Sequence, residues 1–444
     1  TPPLIPGEEW RNVHELDRHH LKHLRPDAEV LAQAREGIER HRKSDLRLRL
    51  VDASGQPRRG LELRLVQERH HFVFGCSSGG TFAGEDSPNV RARNRHFVAL
   101  FNGTHAKCYW DEKWHQPIET HQGHRNTSLF LAEIDWACAH GLVVRGHPLV
   151  WTVPKAIPQW VRTYTYDQQL RFMEHNLRSL IQCADGRIKL WDLVNEMLWE
   201  PSLRNLAARD WPHIESTEEM LTYMEPAMHW AREEDPDGRY VINDYGLERT
   251  YTELKGVNGP MQRRRFVELA VEMRRRGCGP DALGTQGHVG KWFPMDLAWK
   301  VFDELSEAGL PLQISEFWAG LKDHPDPAEK SEEQLRIDRA RYAADYYTVA
   351  FGHPSVEHLS WWGGAEFFER EGWVTSLLYQ QLHRLIREEW WSDVTLTTDG
   401  DGCLDARVFH GDYRLRWRGT DGTLHSQPVR VEPGRSQEGT LVLG

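Results

Sequence analysis

No apolar run in the 444 residues approaches the roughly eighteen that a membrane-spanning helix needs. A membrane protein is therefore excluded. Cysteine is scarce and unpatterned: the six, Cys76, Cys108, Cys138, Cys183, Cys278 and Cys403, include no C-x-x-C. That suits neither a zinc site nor a dense disulfide framework, and buried thiols are expected for most of them. Positive charge is also short, with a formal net charge of −11, which argues against a nucleic acid or anionic membrane partner and fits a neutral substrate. The runs Arg263–Arg265 and Arg274–Arg276 flank the apolar centre of one expected helix and read as solvated helix ends. Histidine is abundant at 24, but the pair in His14-Glu-Leu-Asp-Arg-His19 is spaced i, i+5. Two such imidazoles lie about 140° apart around a helix, so no metal is expected there and no cofactor elsewhere. The chain begins at Thr1 with no signal-like apolar stretch. It reads as a processed or trimmed product, and a secreted or periplasmic monomer is expected.

What is present is 39% hydrophobic and 27% charged residues, the balance of a soluble globular protein. Strand-like runs occur at His71–Ser77, His105–Trp110, Leu142–Trp151, Ile188–Glu196, Arg239–Gly246, Ala282–Val289, Pro311–Trp318 and Val356–Gly363. Each precedes a helical stretch: Asn89–Phe101, Asn126–His140, Tyr166–Cys183, Thr217–Glu234, Met261–Gly277, Pro294–Ala308, Ser331–Phe351 and Val374–Trp390. Asn126 is the expected N-cap of its helix. Eight βα units predict an α/β fold of the (β/α)8 barrel type, with a doubly wound sheet as the alternative. Helix-to-strand turns are short, whereas the loops 197–216, 247–260 and 319–330 are long. The elaborated face is thus the carboxyl end of the strands, where such barrels carry their sites.

The ends of the chain differ. Leu46–Val51 and Leu61–Val66 alternate strictly, as do runs within 394–443, with Gly-containing turns between them. These read as antiparallel strands. The expected organisation is a helical segment over 1–44, accessory strands over 45–70, the barrel over 71–391 and the remaining accessory strands over 392–444. The terminal segments together build a small β-sandwich.

Two glutamates close strand-like runs: Glu196 in Ile188-Lys-Leu-Trp-Asp-Leu-Val-Asn195-Glu196, and Glu316 in Leu312-Gln-Ile-Ser-Glu316-Phe-Trp318. A carboxylate at the end of a buried strand is costly unless something stabilises it. An ordinary strand-end ion pair would explain either one alone. Both together suit glycoside hydrolysis, where one carboxyl protonates the leaving oxygen and the other attacks or stabilises the sugar cation. Asn195 adds a donor for a sugar hydroxyl.

Over about Phe72–Trp390 the chain resembles glycoside hydrolase family 10, the endo-β-1,4-xylanase family. Trp191-Asp-Leu-Val-Asn195-Glu196 is similar to the family's acid/base hexapeptide and Ile314-Ser-Glu316 to its nucleophile strand. Arg145-Gly-His147-Pro-Leu-Val-Trp151 resembles its third strand, and Asn243-Asp-Tyr245 and Gln286-Gly-His288 its fifth and sixth. The resemblance implies a retaining mechanism with Glu196 as acid/base, of raised pKa, and Glu316 as nucleophile. It implies that Asn195 holds a 2-hydroxyl, that Gln286 and His288 orient Glu316, and that His147, Trp151 and Tyr245 line the cleft. For His147 a structural hydrogen bond stays open beside ligand contact.

Of the 19 tryptophans, Trp151, Trp362 and Trp373 are placed by the resemblance on the rim, where flat rings stack on sugars. Trp10, Trp114 and Trp160 read as packing residues. The chain departs from the family pattern at four places. Lys107 and Cys108 stand where Glu and Asn grip the sugar on the non-reducing side, Trp318 where an Asp supports the nucleophile's histidine, and Glu366 at the acidic position after Trp-Gly. The expected partner is a β-linked polysaccharide or oligosaccharide, xylan first, in decorated or short form. A second reading is a family member retuned to another β-glycan or acting from a chain end, and a third is a non-catalytic glycan-binding barrel.

Overall fold

The computed structural model describes residues 24–110, 118–208, 210–248, 255–369, 373–419, 421–434 and 437–443. The His14–His19 pair, Trp10 and Trp114 lie outside the described residues.

Strict alternation in Leu46-Arg-Leu-Arg-Leu-Val51 places Leu46, Leu48 and Leu50 inside and Arg47 and Arg49 outside, the period-two pattern of a strand with one wet face. This strand, β1 (Lys43–Val51), leads through a turn into β2 (Glu62–His70). After the barrel the chain adds β13 (Asp393–Thr397), β14 (Cys403–Phe409), β15 (Gly411–Arg418), β16 (Leu424–Val431) and β17 (Gln437–Val442). β1 lies between β14 and β17 in one sheet, and the order β13-β2-β15-β16 makes the other. The two enclose a separate core of Leu46, Leu48, Leu50, Leu63, Leu65, Leu415 and Trp417. One pairing differs from expectation: β1 and β17 run parallel, with Leu46 opposite Gln437 and Val51 opposite Val442. Phe409, Tyr413 and Trp417 all point inward, so they form no exposed aromatic strip.

The barrel strands are β3 (Val73–Cys76), β4 (Gly103–Lys107), β5 (Val143–His147) with its short continuation β6 (Val150–Trp151), β7 (Leu190–Asn195), β8 (Arg239–Asp244), β9 (Ala282–Thr285) continued by β10 (His288–Val289), β11 (Leu312–Ala319) and β12 (Val356–Trp361). Every neighbouring pair is parallel, and β12 returns to pair with β3. The eight strands therefore close on themselves, which rules out the open doubly wound sheet. Burial is near total along β7 and β11, as expected where helices cover one face and the barrel interior the other.

Helix α1 (Asp27–His41) precedes β1, and eight more alternate with the barrel strands: α2 (Pro88–Leu100), α3 (Ser128–Ala139), α4 (Tyr166–Ala184), α5 (Thr217–Glu234), α6 (Gly259–Arg275), α7 (Met295–Ser306), α8 (Glu332–Gly352) and α9 (Leu377–Arg384). Capping residues explain several starts. Thr165 with Gln168, and Ser216 with Glu219, form reciprocal capping boxes, each satisfying two otherwise orphaned groups. Asn126 sits one residue before the cap position; its Oδ1 accepts the Ser128 amide at 3.0 Å, while Thr127 occupies the cap. The first arginine run is not a solvated helix end. Arg263 is buried, donates to the Leu247 carbonyl at 2.9 Å and pairs with Glu304 at 2.5 Å, tying α6 to the loop after β8. α1 packs against α8 where a Cβ on Gly37 would strike the Gly352 carbonyl.

Inside the barrel, below the carboxyl rim, Arg145 is fully buried against Asp192, with Nε donating to Oδ2 at 2.7 Å, and also donates to Gln313. Gln313 in turn donates to Glu357 at 2.6 Å. This layer supports the residues above it.

Candidate active site

Each candidate side chain leaves the carboxyl end of a barrel strand. β7 ends at Asn195, and Glu196 follows in the left-handed region at φ 62°. A non-glycine residue there costs on the order of 1 kcal/mol or more and persists only where its surroundings hold it. The hold is the Glu196 amide donating to the Asn243 carbonyl at 2.8 Å. On β11 the pairing with β12 shifts between Ile314 and Phe317, an irregularity of the kind that re-aims side chains. The Glu316 amide donates to the Gln286 carbonyl at 2.9 Å.

The two carboxyls have separate partners. Glu316, 4% exposed, accepts from Asn243 Nδ2 at 3.0 Å on Oε1 and meets His288 Nε2 at 3.1 Å on Oε2. Glu196 accepts from Gln286 Nε2 at 3.0 Å on Oε1 and from Trp151 Nε1 at 2.8 Å on Oε2. A continuous chain joins them: Asn195 Oδ1 accepts from Asn243 at 2.9 Å and from Gln286 at 3.3 Å. With its oxygen so used, the Asn195 amide nitrogen has no protein acceptor among the described residues.

This corrects one expectation. The Gln286 side chain bonds Glu196 and Asn195, not the carboxyl of the nucleophile candidate; of the two residues only His288 reaches that carboxyl. The cause is Gly287, at φ 70°, where a Cβ would meet Ile314 Cγ2 at 2.7 Å. Its left-handed conformation breaks the strand between β9 and β10 and sends the flanking side chains to different carboxyls.

His147 makes the structural hydrogen bond left open for it and also faces Glu316. Nδ1 meets Asp192 Oδ2 at 2.7 Å and Nε2 stands 3.9 Å from Glu316 Oε1. Asp192 lies fully buried; desolvation pushes its pKa up, but the Arg145 charge and His147 more than offset that and hold it below the usual range. The Asp192 carboxylate accepts from Nδ1–H, which fixes the tautomer whose Nε2 lone pair faces the cleft. Glu196 is shifted the other way, upward, first by burial and then also by the nearby Glu316 charge. A carboxyl that stays protonated beside a second carboxyl is the arrangement a proton donor needs.

The rim residues fall into two groups. Trp362 meets His147 at 5.4 Å, His105 at 5.7 Å and His288 at 6.3 Å between ring centroids, so it borders the carboxyl pair. Lys107 reaches the same ring, its Nζ 5.6 Å from the centroid. Trp373 instead packs on Phe82 and Phe368 at 5.4 and 5.3 Å and contacts neither glutamate. Cys108 is buried in the barrel wall, its thiol directed to the Pro148 carbonyl at 3.2 Å. Trp160 donates to the Thr120 carbonyl and packs on Phe172. Two of the departures from the family pattern meet each other, as the Trp318 indole donates to Glu366 at 3.2 Å.

The sequence did not single out Glu200, Trp211 or Tyr109, whose ring meets His147 and Trp151 at 5.9 and 5.6 Å, and gave Asn243 no role. Tyr245 OH donates to Glu200 Oε1 at 3.0 Å and accepts from Trp211 Nε1 at 2.9 Å. Burial, then the Glu196 charge, pushes Glu200 up to about 7. It is the Glu196 charge that raises Glu200, so Glu200 is the later of the two to ionise. Lys155 opposes both shifts. Glu200→Gln, an amide in place of a neutral carboxyl, is therefore expected to leave the alkaline limb of the kcat/KM profile in place. A limb that moves to lower pH would show that Glu200 is ionised before Glu196. Only the four-residue spacing from Glu196 hinted at Glu200, whereas Asn243 was in view within Asn243-Asp-Tyr245, and the structure pairs it with Asn195.

Known proteins share this architecture. A model described as Glycosyl hydrolase family 10 matches residues 102–384. The anti-sigma-I factor RsgI6 of Acetivibrio thermocellus is 28% identical over 397 residues, covering 86% of this chain and 46% of that protein. Endo-1,4-beta-xylanase B of Thermotoga neapolitana is 23% identical over 317 residues, covering 70% of this chain and 82% of that one. The chain thus spans less than half the length of the first relative and most of the second. A solved structure of a GH10 protein from Paenibacillus barcinonensis superposes with a TM-score of 0.56 at 19% identity, over 72% of this chain and 96% of that one, a likeness of fold. A family match over more than half of the residues, on a closed eight-stranded barrel with both glutamates at its rim, places the chain in glycosyl hydrolase family 10.

Proposed function

We propose that the chain is a retaining, endo-β-1,4-xylanase-like glycoside hydrolase that acts on xylan or decorated xylo-oligosaccharides. The observation that carries this reading is the hydrogen-bonded line Glu316–Asn243–Asn195–Gln286–Glu196, which fixes two carboxyls with different environments against one another. Glu196 donates its proton to the departing glycosidic oxygen while Glu316 attacks the anomeric carbon. The resulting glycosyl ester is then opened by water, from which Glu196, now a carboxylate, takes a proton. Asn195 Nδ2 holds the 2-hydroxyl of the reacting sugar, and Trp362 and Trp151 supply flat walls. A polymeric substrate supports a secreted or periplasmic location.

The test is sugar release from glucuronoxylan, arabinoxylan, xylo-oligosaccharides, cellulose and mixed-linkage glucan, with product sizes resolved. Xylo-oligomers of mixed length appearing early are expected. Activity confined to another β-glycan would replace the xylan assignment, and a single small product from the start would replace internal cutting with end-wise cutting. The anti-sigma factor among the relatives favours, as a second reading, a barrel that binds glycan without cutting it; binding with no release of sugar from any substrate would establish that reading.

A further inference from the structure

Alternation along β4 puts His105 and Lys107 on the same face, and both meet Trp362. The Lys107 ammonium lies over that ring, and the ring also meets His147 and His288, the two imidazoles beside Glu316. Among the described residues no carboxylate pairs with Lys107, whereas Lys189, Lys255, Lys300 and Lys330 are all in ion pairs. The backbone amide of Lys107 is fixed by Glu133 Oε2 at 2.9 Å, so the strand end is anchored while the ammonium stays unneutralised. One turn of the pleat below, His105 is 1% exposed and neither of its ring nitrogens has a hydrogen-bond partner among the described residues. An unpaired cation and an unpartnered buried imidazole thus flank one aromatic wall of the cleft.

Building on the hydrolase reading, we propose that Lys107 binds a sugar carboxylate, that of a uronic acid carried by the glycan, beside Trp362 in the cleft. An ammonium has three donors and no acceptor, so to a neutral sugar hydroxyl it can only donate. To a carboxylate it offers a charge-assisted bond, strengthened where aromatic walls exclude water. The surroundings make such a cation necessary for an acidic ligand. The chain carries a net charge of −11 and the cleft holds Glu196, Glu200 and Glu316, all of which repel a uronate. Lys155 acts on Glu196 and Glu200, and Lys107 adds a second positive charge over Trp362. The same cation in place of an acidic group disfavours nothing in an undecorated chain, but it gives a decorated one a partner.

The test uses a matched pair: a xylo-oligosaccharide with one glucuronic acid branch, and the same compound after reduction of that carboxyl to the alcohol. The ratio of kcat/KM values, acid over reduced, is expected to be about tenfold at low salt in the native protein. It should collapse towards one in Lys107→Gln, fall below one in Lys107→Glu, and decline as sodium chloride is raised. A native ratio near one, or a ratio that Lys107→Gln leaves unchanged while both rates fall, overturns the proposal and makes Lys107 a hydroxyl donor or a packing residue. Calorimetric affinities of Glu316→Gln protein, with and without the Lys107 change, give the same ratio without turnover. A protein that cuts neither compound, which would sink the hydrolase reading, therefore still decides this one. A linear oligosaccharide with uronic acid in its main chain is the third probe. Preference for it over the branched compound identifies the main chain as the source of the carboxylate, and the reverse identifies the branch.

Discussion

Glu316→Gln should lower kcat by on the order of 10⁴-fold, equivalent to roughly 5 kcal/mol of barrier, while leaving the fold intact. The carboxamide has the same shape as the carboxylate, and its surroundings accommodate it. Its oxygen still accepts from Asn243 Nδ2, now 3.0 Å away, and its NH₂ faces His288 Nε2, now at 3.1 Å, where the imidazole can change tautomer and accept. What is lost is the nucleophile: a neutral amide neither attacks the anomeric carbon nor offers negative charge to the sugar cation. Initial rates on xylan together with thermal unfolding separate the two effects. Unfolding temperatures within a few degrees of each other, with more than about one per cent of the rate retained, would remove Glu316 from the nucleophile's role.

Arg145→Met is expected to cost about 3–5 kcal/mol of stability, read from denaturant unfolding. Arg145 and Asp192 are both fully buried, and the guanidinium also donates to Gln313. Removing the arginine leaves Asp192 as an uncompensated buried charge with His147 as its remaining partner. The penalty should shrink when Asp192→Asn is added, since the stranded charge then disappears, although His147 loses its orienting carboxylate. A loss below about 1 kcal/mol in the single variant would mean that water or another cation reaches Asp192. The double variant also separates stability from chemistry, because it restores part of the fold energy while releasing the imidazole that faces Glu316.

The βα alternation and the carboxyl-terminal rim were legible because they follow from local pattern. Apolar runs ending in polar residues mark strand ends, and Glu196, Glu316, Asn195, His147 and His288 all stand at such ends. What escaped is what depends on chain direction or backbone breaks. The resemblance grouped Gln286 and His288 on one glutamate; the left-handed Gly287 between them divides their side chains between two. Alternating leucines and arginines look the same in parallel and antiparallel pairing, which is why β1 against β17 was not foreseen. Glu200 and Trp211 lie on the irregular stretch after β7, where no period connects them with Tyr245. Trp373 carried the right residue type in the right loop, but its ring turns to Phe82.

The strand β1, held between β14 and β17, bears on how the protein comes into being. Residues 43–51 find their sheet partners at 403–409 and 437–442, so during synthesis this segment waits, without a sheet, for the whole barrel to emerge. The barrel strands have closer neighbours in sequence and have the advantage in time. The sandwich thus closes only after the barrel strands have been made. Arg47 and Arg49, outward on a strand obliged to wait, keep its exposed edge charged and slow to pair with other chains in the interval.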